Sequence, residues 1–557
     1  MQGTGTLSLL QNKKEYSEAE KITLDYFFTN LDKNIYALKP TLSFCLGAFL
    51  VGQYSRSHLS MRDRFLYLFD EMKKAAETGK IAKEDYISID DFANELVKKG
   101  DTFQKLAYFE KRANSFLKQY GVDYGHASLK DADVIRFAIE GVSQLSTNVI
   151  EMPDPELGSY EEKSTRYIQF SKSSIIIPPR LKDSKYYERI KQNNDTLMES
   201  YEKNSSIVLE FLKQEVYDET KFKSKAAFER TAAAKTFDIM RYWLPQGLAT
   251  SLGAIWQTRI IETHISQMLS HPLEELRIIG EALKEEGVKL SPGLLTHVSP
   301  NKYFGETTLD MYESFKDFSY ERYFPIDYFK RVKLIRHTDD LENLLLASML
   351  YEFSEASFET LYNKSKTLTE SERDNIFEKY LAKRGEYDLM MKALKVGSFT
   401  FEFLIDIGAW RDVKRQRVGT ILKQDITASL GYAYPEFLEN TKELKTVKDE
   451  YDSLMLETPR LYEEVKSEFP FEAQYIPAMG HCTRFLYEFH PRQAQYVIEL
   501  RTKSGGHHSY RTLFQDVFRE VEKVIPRLAK YIKVDWKDSI EGRKNAEEKT
   551  AAKRGEK

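Results

Sequence analysis

The feature that most limits how this chain can fold is a faint internal repeat, in which several matches recur in one order. NIYALKPTLSFCLGAFLVGQYSRS near residue 34 resembles RVKLIRHTDDLENLLLASMLYEFS near residue 331. Ile135-Arg136-Phe137 corresponds to Phe399-Thr400-Phe401. Arg241-Tyr242-Trp243-Leu244-Pro245 has its partner in Ala473-Gln474-Tyr475-Ile476-Pro477. Arg259, fourteen residues beyond the first proline, matches Arg492, fifteen beyond the second. Helical apolar spacing produces isolated matches by chance, but it does not put them in order. Two related domains are expected, over 30–300 and 328–537. Residues 1–29 then form an amino-terminal extension, 301–327 a linker and 538–557 a disordered, charged tail. A chain of 557 residues also exceeds what one hydrophobic core usually serves.

Within that frame, helical patterns dominate. Apolar residues at three- and four-residue spacing predict helices over 126–145, 260–283 and 510–528. The β-rich pieces SSIIIPP and RVKLI add sheet, so the expected class is α+β. The most apolar stretch, TLSFCLGAFLVG at 41–52, is too short to span a bilayer and reads as a buried helix. The first residues lack the apolar core of a signal peptide, which points to the cytoplasm. A net charge of -4 provides no global attraction to nucleic acid or acidic membranes, so any anionic ligand must be argued from local clusters. The two cysteines, Cys45 and Cys482, exclude a disulfide framework and a Cys-rich metal site.

Three clusters carry chemistry. In GSYEEKSTRY (158–167), Ser164 and Arg166 lie two apart, so an extended or turning backbone can aim a hydroxyl and a guanidinium fork at one phosphate. Arg241 could join them. The residues just before, Asp154, Pro155 and Glu156, are acidic or inert. Either the rest of the site lies elsewhere in the chain, or the stretch is a solvated loop. In Trp410–Thr420, Arg411, Lys414, Arg415 and Arg417 fall within seven residues. On a helix Arg415 and Arg417 would diverge by about 200°. An extended segment would align them toward a diphosphate, and Gly419 makes a turn plausible; the alternative is a solvated basic helix face. In the third cluster, Arg501 closes an apolar run that starts at Arg492, where a charge needs a partner or a ligand. GGHHSYR follows, but adjacent histidines rarely chelate one ion and no further ligand sits nearby, so no metal site is expected.

Taken together, these motifs resemble the flavin-dependent thymidylate synthase family of the ThyX type. That family carries Arg-His-Arg, two residues, Ser, four residues, then Ser-x-Arg-Tyr. Here the pattern is split. The first half has Ser159 and Ser164-Thr165-Arg166-Tyr167, with Asp154-Pro155-Glu156 where the triplet belongs. The second has Arg415-Gln416-Arg417 and Thr420, with Asp425, Thr427 and Ala428 where Ser, Arg and Tyr belong. The family's arginine before Leu-Pro is Arg241, replaced by Ala473 in the second copy; its flavin-side histidine is matched by His126, replaced by Met390. Its distal arginine pair is Arg492 and Arg501, whereas the first copy has Arg259 and Met268.

The resemblance implies helix-rich domains, each with a small mixed or antiparallel sheet, and a site shared between domains. Glu162, Ser164, Thr165, Arg166, Arg241 and Arg501 would hold a pyrimidine nucleotide; His126, Arg415, Gln416, Arg417 and Arg492 would hold FAD. NADPH would be the reductant and methylenetetrahydrofolate the carbon donor in converting dUMP to dTMP. Gln416 for the usual histidine, and Asp412 where glutamine is frequent, keep open UMP or a modified pyrimidine as substrate, or a flavin- or nucleotide-binding relative without turnover. The family's homotetramers imply a homodimer of tandem chains, with small-molecule ligands rather than nucleic acid or membrane as partners.

Overall fold

In a computed structural model, which describes residues 14–42, 50, 57–104, 118–119, 128–131, 133–154, 157–166, 168–316, 331–537 and 539–554, the repeat reappears as two four-stranded antiparallel sheets of one topology. The first contains β1 (Ile35–Leu38), β2 (Val134–Ser143), β3 (Ser159–Glu162) and β4 (Ala249–Gln257), ordered β1-β2-β4-β3. The second contains β5 (Val332–His337), β6 (Phe399–Asp406), β7 (Thr420–Lys423) and β8 (Cys482–Phe489), ordered β5-β6-β8-β7. The class is α+β, helix-rich, with a small antiparallel sheet in each repeat. Matched sequence pieces occupy matched places, since NIYALK leads into β1 and RVKLIRH into β5.

Two local expectations are corrected. Residues 134–143 form strand β2 rather than part of a helix. Ile135, Phe137 and Ile139 are buried, and so are Arg136 and Ala138 between them. A strand covered on both faces loses the alternation that would distinguish it from a helix. SSIIIPP forms no strand and contributes one isolated bridge, Ile175 to Leu248, because Pro178 and Pro179 have no N–H for a ladder. The apolar stretch 41–52 lies mostly outside the described residues.

Corresponding helices follow the strands. In the first repeat these are α1 (Gln144–Ile150), α2 (Tyr187–Phe211), α3 (Lys225–Met240), α4 (Thr258–Leu269) and α5 (Glu274–Leu290). The single helix expected over 260–283 is thus two, divided at His271-Pro272, whose carbonyls both accept from Arg277 Nη1 at 2.7 Å. In the second repeat they are α6 (Ile407–Val413), α7 (Lys445–Lys466), α8 (Pro491–Arg501) and α9 (His508–Val524). The carboxy-terminal segment, expected to be disordered, is the helix α10 (Ser539–Arg554) packed on α3. Its Ala, Glu, Lys and Arg residues are strong helix formers, and Glu548 pairs with Lys223 at 3.7 Å. No helix among the described residues is long and apolar enough to cross a membrane.

The chain divides into two compact units, and each draws on both repeats. The first unit comprises Met1–Lys191, Gln246–Tyr320 and Val465–Tyr475, so a short second-repeat segment joins the first sheet. There Tyr475 OH donates to Glu275 Oε2 at 2.5 Å, and the same carboxylate accepts from the Ser143 hydroxyl at 2.6 Å and amide at 2.8 Å. The second unit comprises Gln192–Pro245, Glu321–Glu464 and Ile476–Lys557, which brings most of α2 and all of α3 to the second sheet. Its core stacks Phe403 on Phe485 at 4.8 Å, with Trp410 at 4.7 Å, and sets Trp243 against Tyr451 at 4.5 Å. Buried aromatic side chains of this size contribute roughly 1.5–3 kcal/mol each.

Candidate functional site

The second unit gathers one cluster of site residues, beginning with Arg241. Helix α3 ends at Met240 and a 3-10 turn over Arg241–Trp243 follows. The turn is fixed from the second repeat: Gly480 N donates to Tyr242 O at 2.8 Å and Met479 N to Leu244 O at 2.9 Å. Trp243 Nε1 also donates to Ser200 Oγ at 2.9 Å. This leaves Arg241 only 1% exposed, and a buried guanidinium demands compensation. Asp412 supplies part of it, with Oδ2 3.3 Å from Nη1. Among the described residues, Nε and Nη2 of Arg241 have no hydrogen-bond partner. A Cβ added to Gly408 would fall 3.0 Å from Nε and 3.4 Å from Cζ, so a side chain at this point of α6 would crowd the guanidinium. The Nε–Nη2 edge, unpartnered among the described residues and closed to solvent in this arrangement, is a planar fork of the kind that binds two oxygens of a phosphate or carboxylate.

The Arg-Gln-Arg segment lies in the turn between α6 and β7, not on a helix. Gln416 N donates to Val413 O at 3.2 Å, tightening the end of α6. Gly419 has φ +99, and a Cβ there would meet Glu488 O at 2.3 Å, so the chain can swing into β7 only with glycine at this point. Arg415 is half-buried and Arg417 exposed, whereas Gln416 is buried. In the amide orientation its neighbours dictate, Gln416 Oε1 accepts from Arg501 Nη2 at 2.9 Å and Nε at 3.2 Å. Arg501, the last residue of α8, also donates to the Asp412 carbonyl and lies 5.4 Å from the Tyr510 ring centre. Asp412 therefore meets Arg241 with its side chain and Arg501 with its backbone.

Arg492 sits at the opposite end of α8, about 13 Å away along the axis. Nearby, burial lowers the Lys423 ammonium to about 8; Asp425 opposes this and Lys414 adds to it. Burial holds the Cys482 thiol protonated, far from a nucleophilic thiolate. His507 and His508 diverge rather than converge on one ion, with His507 Nε2 2.9 Å from the Asp238 carbonyl and His508 Nδ1 3.6 Å from Glu436 Oε1.

In the first unit, Glu162 closes β3 opposite Leu252 and is buried. Ser164, Thr165 and Arg166 form the turn that follows: Arg166 N donates to Ser164 Oγ at 3.2 Å, Thr165 is buried and Arg166 half-buried. His126 lies outside the described residues. Sequence reasoning missed Gly408 as the space for Arg241 and Asp412 as its ion-pair partner. Their signal was faint: one glycine in an apolar run and one carboxylate among four cations.

The family model described as thymidylate synthase complementing protein matches residues 68–293 and again 333–527. Among curated proteins, a UPF0159 protein of Chlamydia muridarum is 27% identical over 98% of this chain and 100% of its own length. A UPF0159 protein of Chlamydia pneumoniae is 28% identical, covering 97% of this chain and 99% of that one. One from Thermoplasma acidophilum is 23% identical over 80% and 94% respectively. With two successive matches that together span most of its length, the chain belongs to the thymidylate synthase complementing protein family and carries that family's domain in tandem.

Proposed function

We propose that this protein is a flavin-dependent thymidylate synthase that methylates dUMP at a site composed from both repeats. The observation that carries this reading is the Arg241 guanidinium, buried to 1% exposure, with two N–H groups unpartnered among the described residues and in one cluster with Gln416 and Arg501. A buried, half-satisfied guanidinium is costly unless an anion completes it. A first-repeat arginine meeting second-repeat residues inside one unit supports a composite site.

In this reading Arg241 grips the nucleotide phosphate, and Glu162, Ser164, Thr165 and Arg166 of the first unit keep the nucleotide-binding role that the family resemblance implies. Arg501 contacts the base and stabilises negative charge developing on the uracil ring. Gln416 orients Arg501, which is where its carbonyl is directed. The donor set also fits FAD: Arg415 and Arg417 lie in the segment that turns from α6 into β7, a geometry suited to a diphosphate, and Arg492 and, by the family resemblance alone, His126 would complete the set. FAD when bound supplies the redox chemistry, with NADPH as reductant and methylenetetrahydrofolate as carbon donor. Two chains would pair as a homodimer equivalent to the family's four domains.

The test begins with colour. Purified protein should take up FAD, bleach with NADPH and release tritium from 5-labelled dUMP when methylenetetrahydrofolate is present. Arg166→Ala should weaken dUMP binding about ten- to a hundredfold while sparing FAD, the scale of one charge-assisted hydrogen bond. Arg417→Ala should do the reverse. Loss of the same ligand to the same degree in both variants would refute the division of roles.

A further inference from the structure

We infer that His507 is a positioning residue, a clasp that sets where the Arg241 guanidinium lies. This rests on the reading of Arg241 as the anion grip. His507 is the N-cap of α9, where Nδ1 accepts from Ser509 N at 3.2 Å, and its Nε2 lies 2.9 Å from the Asp238 carbonyl oxygen. An amide can only donate and a carbonyl can only accept. The two partners therefore fix a neutral imidazole with its proton on Nε2. Asp238 lies in the last turn of α3, three residues before Arg241. On the other side of Arg241, the Tyr242 ring stacks on the same imidazole at 5.9 Å and 26°. One ring, 4% exposed, thus grips the chain both before and after the arginine.

The next two residues extend the clasp. His508 faces Glu436, which also takes the ammonium of Lys235 on α3. Ser509 Oγ donates to Asp406 Oδ2, while Asp406 Oδ1 caps α6 by accepting from Ala409 N at 2.7 Å. Helix α6 carries Gly408 and Asp412, the residues that face Arg241. The start of α9 therefore ties together the two elements that must align for the guanidinium to lie over Gly408.

The other repeat provides an internal control. Helices α4 and α5 follow β4 as α8 and α9 follow β8, so the N-cap of α5, Leu273, stands where His507 stands. Leucine has no side-chain hydrogen bond to offer. In that unit the counterpart of Arg241 is Ala473. The clasp is present where there is a guanidinium to place and missing where there is none.

Two substitutions separate clasp from cap. In His507→Asn, the amide oxygen can still cap Ser509 N–H, but the side chain is too short to reach Asp238. His507→Gln reaches Asp238 with its amide nitrogen. His507→Asn should retain FAD and melt within a few degrees of the unsubstituted protein, while its Kd for dUMP rises about tenfold. His507→Gln should recover most of that loss. Asparagine and glutamine variants that bind dUMP equally, whether both tightly or both weakly, overturn the inference. A ¹⁵N-histidine spectrum of the unsubstituted protein at pH 7 decides independently and needs no variant to fold. The Nε2-protonated neutral tautomer supports the clasp, and any other form refutes it. Failure of the unsubstituted protein to bind dUMP would overturn the functional reading, with the spectrum still deciding the clasp.

Discussion

Asp412→Asn tests whether the buried charge at the centre of the cluster is as described. The substitution keeps the side chain's volume and removes the carboxylate 3.3 Å from Arg241 Nη1. Removing one partner of a fully buried pair costs about 3–5 kcal/mol, because the other charge stays buried and uncompensated. Here Arg241 is 1% exposed, but Asp412 keeps 23% of its side-chain surface in solvent, and the new amide oxygen can still accept one N–H. The expected loss is therefore smaller, about 2–3 kcal/mol, or a fall in melting temperature of about 5–10 °C for a unit of this size. Arg241→Met removes charge and donors together and should be milder. The double variant should be little worse than Arg241→Met alone, since the methionine leaves no charge to compensate.

The same geometry predicts a ligand effect. An oxyanion that reaches the unpartnered Nε–Nη2 edge would replace the lost negative charge, so phosphate should restore stability to Asp412→Asn more than to the unsubstituted protein, growing with phosphate concentration. The assay is urea denaturation at pH 7, in chloride and in phosphate at matched ionic strength, followed by tryptophan fluorescence; Trp243 and Trp410 are both buried in this unit. An Asp412→Asn protein as stable as its parent would refute the charge argument. Equal stabilisation of both proteins by phosphate would refute the fork as an anion grip.

Two further outcomes follow from backbone geometry and buried histidines. Gly419→Ala should disrupt the turn into β7, because it combines φ +99 with a Cβ 2.3 Å from Glu488 O. Strain of this kind costs about 1–3 kcal/mol before the clash is counted, and weakened FAD retention at unchanged dUMP affinity would report it. Burial lowers His264 and His481 from 6.5 to about 4. Above pH 6.5 both states are neutral and neither group contributes to pH dependence. Between pH 6.5 and 4 the unfolded chain binds the protons that the folded chain refuses, so stability falls by up to about 1.4 kcal/mol per pH unit for each histidine. Urea midpoints measured from pH 7 to 4.5 should show the decline, and His481→Asn should lessen it.

How much of this was legible in the sequence depended on whether the signal was local. The repeat was legible because Arg241 and Ala473 stand in the same 3-10 turn, and Arg259 and Arg492 in the first turns of the same helix. The turn at Arg415–Arg417 was legible because Gly419 has a backbone reason to be glycine. Strand β2 was not, since apolar residues facing both ways have no period that excludes a helix. Helix α10 was not, because its charged face looks like a solvated tail until Arg230 and Lys223 are found opposite Glu547 and Glu548. The Arg241–Asp412 pair spans 171 residues, and no spacing rule reaches that far.

That distance bears on why neither repeat has a complete motif. In each unit the end of one repeat's helical segment packs beside the helix that opens after the other repeat's second strand. In the second unit this junction joins Arg241 to Gly408 and Asp412, with Asp406 held by Ser509. In the first, Ala473 occupies the arginine's place, and Ser143, the counterpart of Asp406, is bound by Glu275 and, through it, by Tyr475. Glu275 stands second in α5, as Ser509 does in α9, so the two junctions share their geometry and differ in their chemistry. One junction ties its helix cap to a carboxylate hub; the other keeps a buried cation with two N–H groups that lack partners among the described residues. A protein of identical subunits must present the same residues at every junction. A tandem chain need not, so each copy can lose the residues for which only the other's junction has a use. Complementary loss is thus what interleaving permits, and in the proposed reading the junction that keeps Arg241 is the one that takes the anion.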